Sequence, residues 1–352
     1  MKKVLLILVG MTMLWSCQSI DMLSIDYLLP AEMSFPKELR KVAVVNNTVE
    51  GAPITLARQF TDKPDVNART QYQKTQYFAG DGKTAAESLA QALADGDYFD
   101  TVIICDSALR ANDQEERRQT LTRDEVSELT QQLGADFLIS IEKLDLRVES
   151  KSLPDPYMGL FVASTDVKVA PTVRIYLPQQ TVRSAINKVD SIFWQGFGDE
   201  INASVHELPS SQKVVHEASL YAGEFVAKTF VPYWETANRF YFNNGSVALR
   251  DAAVFVKEDN WEEAMNLWQK AYEESKSTKK KMIAAYNIAL GHEMLEDIDK
   301  AIEWATKAQQ FAIQENQGEV AQLAAIYLQQ LSVRKQSFAS VKMQMQRFNE
   351  DF

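Results

Sequence analysis

The spacing of apolar residues changes character several times along the chain. Residues 4–14 form an apolar run with no charge behind Met1-Lys2-Lys3. Residues 18–38 show no sustained period and contain Pro30 and Pro36 as breakers. Lys41-Val42-Ala43-Val44-Val45-Asn46 is short, apolar and β-branched, which predicts a buried strand ending at Asn46-Asn47. From 49 to 80 the chain is polar and irregular, with Pro53 and Pro64. Thr84-Ala85-Ala86-Glu87 has the form of a capping box. The helix it predicts carries Ala85, Leu89, Ala92 and Leu93 on one face and closes at Gly96. Residues 101–105 read as a second strand. Thr122-Arg123-Asp124-Glu125 is another capping box; Val126, Leu129 and Leu133 form the stripe of its helix and Gly134 stops it. Residues 135–142 read as a third strand, with alternation continuing to Val148.

Strand, helix, strand, helix, strand predicts two crossovers and parallel pairing. Residues 161–176 and 189–197 then alternate apolar with polar, predicting antiparallel strands added to the same sheet. Pro171 falls inside the first of them and implies an edge or a bulge. A long helical period follows from 210, through Val214, Ala218, Tyr221, Phe225 and Phe230, until Pro232 kinks or breaks it. Beyond it lie Tyr233, Trp234, Arg239, Phe240, Tyr241 and Phe242. Aromatics at this place predict a hydrophobic joint between domains or a partner groove.

Two similar stretches come next. Asp259-Asn260-Trp261-Glu262-Glu263-Ala264 continues to Trp268 and Ala271; Asp297-Ile298-Asp299-Lys300-Ala301 continues to Ala305 and Ala308. Ala264 and Ala301 are 37 residues apart. Tyr286-Asn287-Ile288-Ala289 precedes the second copy. The arrangement of small residues at Ala252 and Ala289, a large apolar residue at Trp261 and Ile298, and alanines after it resembles the tetratricopeptide repeat. Asp251 stands where that repeat has Leu, and the period exceeds the usual 34 or so residues. The resemblance implies helix hairpins that bury their faces by stacking. Residues 318–334 carry a further amphipathic pattern (Val320, Leu323, Ala324, Tyr327, Leu331), a plausible cap.

The leader changes the picture most. Its apolar run is too short to cross about 30 Å of hydrocarbon as a helix, and its basic flank is that of a signal peptide. Leu14-Trp15-Ser16-Cys17 resembles a lipobox, the processing site of bacterial lipoproteins, with Trp15 departing from the usual small residue. The resemblance implies cleavage before Cys17, lipid on Cys17, and export. Gln18 rather than Asp after the cysteine favours the outer membrane, and the lack of an acidic tag favours its periplasmic face. The order of the chain predicts the α/β domain nearest the membrane. Gly134-Ala135-Asp136-Phe137-Leu138-Ile139 is similar to a turn in small α/β domains of envelope lipoproteins and of the TolB N-terminal region. That is a likeness of fold and transfers no site. The joint around Pro232-Tyr233-Trp234 resembles that of certain Bacteroidetes lipoproteins and implies no activity.

Thirty-seven basic against 48 acidic residues leave a net charge of −11, which disfavours nucleic acid or anionic lipid head groups as broad partners. With Cys17 lipidated, Cys105 has no disulfide partner, and its apolar surroundings predict a buried thiol. The three histidines, His206, His216 and His292, form no metal-ligand pair, and His292-Glu293 lacks the second His of a zincin helix. Gly82-Lys83-Thr84 lacks the first glycine of a P-loop, since Tyr77 stands there. No nucleophile elbow is present. No catalytic residue, cofactor or metal is therefore assigned.

The expected fold class is α+β, a mixed-sheet α/β domain followed by an all-α tetratricopeptide-like helical domain. The expected organisation is a signal peptide (1–16), lipidated Cys and tether (17–38), the α/β domain (39–205), a bridging helix and aromatic joint (206–245), the helical domain (246–336) and a tail (337–352). The expected function is a lipid-anchored cell-envelope binding or scaffolding module with a protein partner. The candidate groove or joint is Trp234, Arg239, Tyr241, Trp261, Trp268, Tyr286 and Asn287. An envelope hydrolase or glycan-binding protein using the α/β domain, and an oligomeric assembly subunit, are the alternatives.

Overall fold

The computed structural model describes residues 20–49, 72–105, 109, 120–178 and 184–346. The fold class is α+β, with a mixed sheet in the first half and helices in the second. The chain divides into two compact units: an α/β unit of Ala31–Tyr233 with 344–346, and a helical unit of 20–30 with Trp234–Met343.

In the α/β unit, β2 (Lys41–Asn46) pairs in parallel with β4 (Thr101–Cys105) and with β5 (Phe137–Asp155). The start of β2 is pinned by Asp136, whose carboxylate accepts from the backbone N–H of Arg40 at 2.8 Å and Lys41 at 2.7 Å. The outer half of β5 pairs antiparallel with β3 (Tyr72–Ala79). On its other side β5 pairs with β6 (Leu160–Tyr176), which in turn carries the short β7 (Ile186–Asn187) and β8 (Asp190–Gly198), all antiparallel. Pro171 is tolerated at a double irregularity. The β5–β6 register shifts between Ile141 and Lys143, and on the far side Pro171 lies between the residues that pair with β7 and with β8. Its missing N–H therefore costs no ladder bond.

Val42 to Val45 are wholly buried, so β2 has no wet face, and each of the three valines contributes about 1.5–3 kcal/mol. Val42 and Val44 face α1 (Gly82–Asp95) and α4 (Ser211–Ala227); Ala43 and Val45 face α2 (Arg123–Leu133). The Thr122 capping box is present, and Gly134 (φ 67°) ends α2 in the left-handed conformation. Helices α1 and α4 meet at Gly223, where a Cβ would fall 2.5 Å from the Leu89 nitrogen and 2.6 Å from the Ala85 oxygen. Ser88 Oγ donates to the Leu220 carbonyl at 2.6 Å across the same crossing. The short α3 (Ile201–His206) packs beside β8.

In the helical unit, β1 (Ile20–Leu29) pairs with β9 (Tyr233–Phe242), followed by α5 (Val247–Lys257), α6 (Trp261–Glu274), α7 (Thr278–Met294), α8 (Ile298–Gln314) and α9 (Gly318–Met345). The 37-residue spacing of the sequence is a spacing of turns. Asp259 and Glu296 both take positive φ (59° and 60°). Asn260 and Asp297 both cap the following helix. The N–H of Asn260 bonds the Phe255 carbonyl, and that of Asp297 the His292 carbonyl, each at 2.9 Å. Asn316 repeats the left-handed turn before α9. Ala252, Ala264, Ala289, Ala301, Ala305 and Ala308 have no exposed surface, so the helices approach through small side chains.

Six expectations are corrected. Residues 20–29 are a strand, not part of a tether. Their alternation is hidden because apolar residues occupy both faces: Leu23 and Ile25 inward, Ile20 and Met22 outward. Residues 72–79, in the stretch read as irregular, form β3; Gln73, Lys74, Thr75 and Gln76 are polar on both faces, and pairing with β5 decides their conformation. The cap of α1 is Asp81, not Thr84. The Asp81 carboxylate accepts from Lys83 N–H, Thr84 N–H and the Thr84 hydroxyl at 3.0, 3.1 and 2.7 Å. The aromatic stretch after Pro232, read as a joint or groove, is a strand; the helix before it already ends at Ala227. Within the stretch read as a tail, α9 runs to Met345, and Gln344 is buried with its amide bonding both the N–H and the C=O of Ala31 at 2.9 Å. Cys105 is half-buried rather than sealed.

Candidate functional site

The seven residues singled out from the sequence all lie in or bordering the helical unit, but they do not line an open groove. Arg239, Tyr241, Trp261, Trp268, Tyr286 and Asn287 are buried, and Trp234 alone is exposed, at 70%. The reading as a partner groove is corrected, because this unit closes its own core through these side chains. Asn287 shows how. It is wholly buried on α7, and its amide donates to the Phe242 carbonyl at 2.7 Å and accepts from the Phe242 N–H at 2.8 Å. It stands in for a strand partner at the end of β9. Phe242 and Tyr286 pack edge to face at 5.5 Å. Tyr241 donates to the Asp21 carboxylate at 3.3 Å, and burial with that charge pushes the phenol up to about 12. Trp261 donates to Asp259 at 2.6 Å across the first hairpin turn. Trp268 packs near Gly291, where a Cβ would meet Met265 Sδ at 2.8 Å.

Arg239 organises the charged part of this interior. It projects inward from β9 and makes a forked bond with Glu293 on α7: Nε donates to Oε2 at 2.9 Å, and Nη2 donates to Oε1 at 2.9 Å. Arg334 Nη1 of α9 donates to Oε1 at 2.6 Å, and the Tyr327 hydroxyl donates to Oε2 at 2.7 Å. Arg334 lies 5.1 Å from the Tyr27 ring of β1. Burial pushes the Glu293 carboxyl up, but the bonds and charges of Arg239 and Arg334 outweigh it and hold the carboxyl below its ordinary value. Both oxygens of Glu293 are thus occupied by fixed donors. A carboxylate so held has no role open to it in proton transfer; it ties β9, α7 and α9 together. Sequence reasoning noticed His292-Glu293 only as a failed zinc motif. The signal that could have found its role is a Glu at the interior face of a repeat helix, together with Arg239 in the aromatic stretch.

The α/β unit holds a second polar cluster, at the carboxyl ends of its parallel strands. In open α/β sheets that edge is where ligands bind. Asn47 follows β2, and its Nδ2 donates to Glu142 Oε2 at 2.8 Å. The Tyr176 hydroxyl donates to Glu142 Oε1 at 2.9 Å and accepts from the Leu121 N–H at 3.0 Å. Burial raises the Glu142 carboxyl above its ordinary value, opposed by these bonds. Asn47 Oδ1 is buried without a partner among the described residues. Among the described residues the carboxyl bonds an amide and a phenol and no second carboxylate, so the cluster can receive a polar group.

Among the described residues no group of three or more His, Cys, Asp or Glu is placed to hold a metal ion, and no helix is long and apolar enough to cross a membrane. Cys17 and its leader lie outside the described residues.

Residues 250–333, within the helical unit, match the domain of unknown function DUF6340. No curated protein and no solved structure matches the chain. Residues 39–242, more than half of the chain, match the domain of unknown function DUF8603, and the chain therefore belongs to that family.

Proposed function

We propose that this is a lipid-anchored protein of the bacterial cell envelope, held through Cys17 at the periplasmic face of the outer membrane, and that its helical unit is a binding or scaffolding module for a protein partner. The observation that carries the proposal is Leu14-Trp15-Ser16-Cys17 behind a basic flank and an apolar run of signal-peptide length. The scaffolding part is supported by the two helix hairpins repeating at 37 residues, which resemble the tetratricopeptide pattern. A partner would engage exposed helical side chains, since six of the seven candidate residues are already used by the core.

The test uses the full chain in intact bacteria fed labelled palmitate. The native protein takes up label and fractionates with membranes; Cys17→Ala takes up none, and a form secreted from Gln18 onward stays soluble. Absence of label from the native protein overturns the anchor. Crosslinking of the native protein in the same cells is expected to capture a protein partner. A native protein that captures nothing above background in these cells overturns the scaffold.

A further inference from the structure

The two-stranded ribbon β1–β9 has one face in the helical core and one face outward. Its register follows from cross-strand side-chain bonds: Ser24 Oγ donates to Asn238 Oδ1 at 3.0 Å, and Thr236 Oγ1 donates to Asp26 Oδ1 at 2.6 Å. Residue numbers fall on one strand as they rise on the other, so the strands are antiparallel and Met22 stands opposite Phe240. Inward lie Leu23, Ile25, Arg239 and Tyr241. In the middle of the outward face, Ser24, Asp26, Thr236 and Asn238 follow the usual rule that the wet side of an antiparallel pair is polar, and they bond one another. Both ends break that rule: the far end carries Trp234, 70% exposed, and the end nearest the N-terminus carries a cluster. Ile20, Met22 and Phe240 are 44%, 60% and 38% exposed, side by side.

The place of this patch in the chain says what covers it. Cys17 is three residues before Ile20. Three residues span at most about 11 Å. Lipid on Cys17, the reading on which this inference rests, therefore brings a bilayer within about 11 Å of an exposed apolar patch on a folded strand. We propose that Ile20, Met22 and Phe240 form a bilayer-contact surface that seats the helical unit in the lipid interface beside the anchor. The acyl chains supply the affinity; the patch restrains how the anchored unit tilts. The occupant is a lipid surface rather than a protein, because the anchor holds that surface next to the patch at all times. The order of the chain therefore misleads: the strand next to the anchor belongs to the helical unit, so the α/β unit is not the part directly tethered.

The test is photocrosslinking of the full, lipidated protein in vesicles of phosphatidylethanolamine and phosphatidylglycerol. A benzophenone amino acid is placed singly at Met22, Phe240 or Thr236, and palmitate labelling of the same sample reports whether Cys17 is acylated. Thr236 is the control: it lies on the same face, about 13 Å further from the anchor end. Phospholipid adducts are expected at 22 and 240 at least about fivefold above those at 236, because contact with the interface falls off over about 5–10 Å. Met22→Asp with the probe at 240 should lower the lipid adduct by a similar factor while palmitate labelling is unchanged. Labelled protein that crosslinks at 22 and 240 to a second copy, to another protein, or to lipid no better than at 236 overturns the contact surface and leaves the anchor standing. Unlabelled protein overturns both.

Discussion

At the residue scale the most consequential side chain is Glu293. It is fully buried between two arginines, and its removal would leave their charges without a counter-ion. Glu293→Gln keeps the volume and is expected to cost about 3–5 kcal/mol at neutral pH, the cost of breaking a buried pair by removing one partner. Urea unfolding at pH 7 measures it. The pH dependence has a definite sign. The folded-state pKa lies below the ordinary carboxylate value of about 4.3, so the contribution is complete above that value and disappears as pH falls through the depressed one. The stabilities of the native protein and Glu293→Gln should converge in acid; a gap that stayed constant down to pH 3 would show that the carboxylate's charge is not what stabilises the unit. Little of this was legible in the sequence. Arg239 was noticed as a cation among aromatics, but its partner is 54 residues away and on another element. Asn287, marked as part of a groove, is a backbone clamp, because only the fold brings its amide to the open end of β9.

At the element scale, local chemistry was readable wherever it acts within one turn. The Thr122–Glu125 box, the Gly134 stop and the 37-residue turn pattern are decided by neighbours in sequence. Strands β1, β3 and β9 were not readable, because a strand's conformation is settled by a partner far along the chain. In β1 and β3 the period-two signal cancels, since both faces carry the same class of residue. In β9 the inward Arg239 breaks the pattern. Helix crossings are equally non-local. Gly223 sits inside a helix, where Gly→Ala alone should stabilise by about 1 kcal/mol. Its backbone contacts with α1 reverse the sign. Gly223→Ala is expected to destabilise the α/β unit by about 1–3 kcal/mol or more as the helices are forced apart. Gly134→Ala, which meets no atom within 4 Å but must hold φ at 67°, is expected to cost about 1 kcal/mol. Thermal unfolding of the two variants checks the order; a stabilised Gly223→Ala would mean that the α1–α4 crossing is looser than its geometry.

At the scale of the whole molecule, the chain is not divided where its composition changes. The helical unit takes its first strand from residues 20–29 and its second from β9, on either side of the α/β unit in sequence. Deleting 20–29 should therefore damage the helical unit, leaving β9 unpaired and uncovering Arg334, while the α/β unit is spared. Hydrogen exchange is the measurement: protection is expected to fall in 234–343 and to persist in β2, β4 and β5. Loss confined to the α/β unit would contradict the division. An isolated 246–336 segment is a poor probe of binding for the same reason, since it lacks both strands that close its core.

The sequence by itself determined what depends on short range or on composition. It determined the buried β2 strand, the helical half with its 37-residue period, the cap at Thr122, and the excess of acidic charge. The signal-like leader with Cys17 is likewise legible in order alone, because export and acylation machinery would read it as an unfolded chain. Only the tertiary structure decided which residues are used up inside. It turned the aromatic joint into a strand and buried Arg239 against Glu293. It also moved residues 20–29 into the helical unit. The physical reason is the same in each case. Strand pairing and buried charge pairing couple positions tens to hundreds of residues apart, and no local periodicity carries that information.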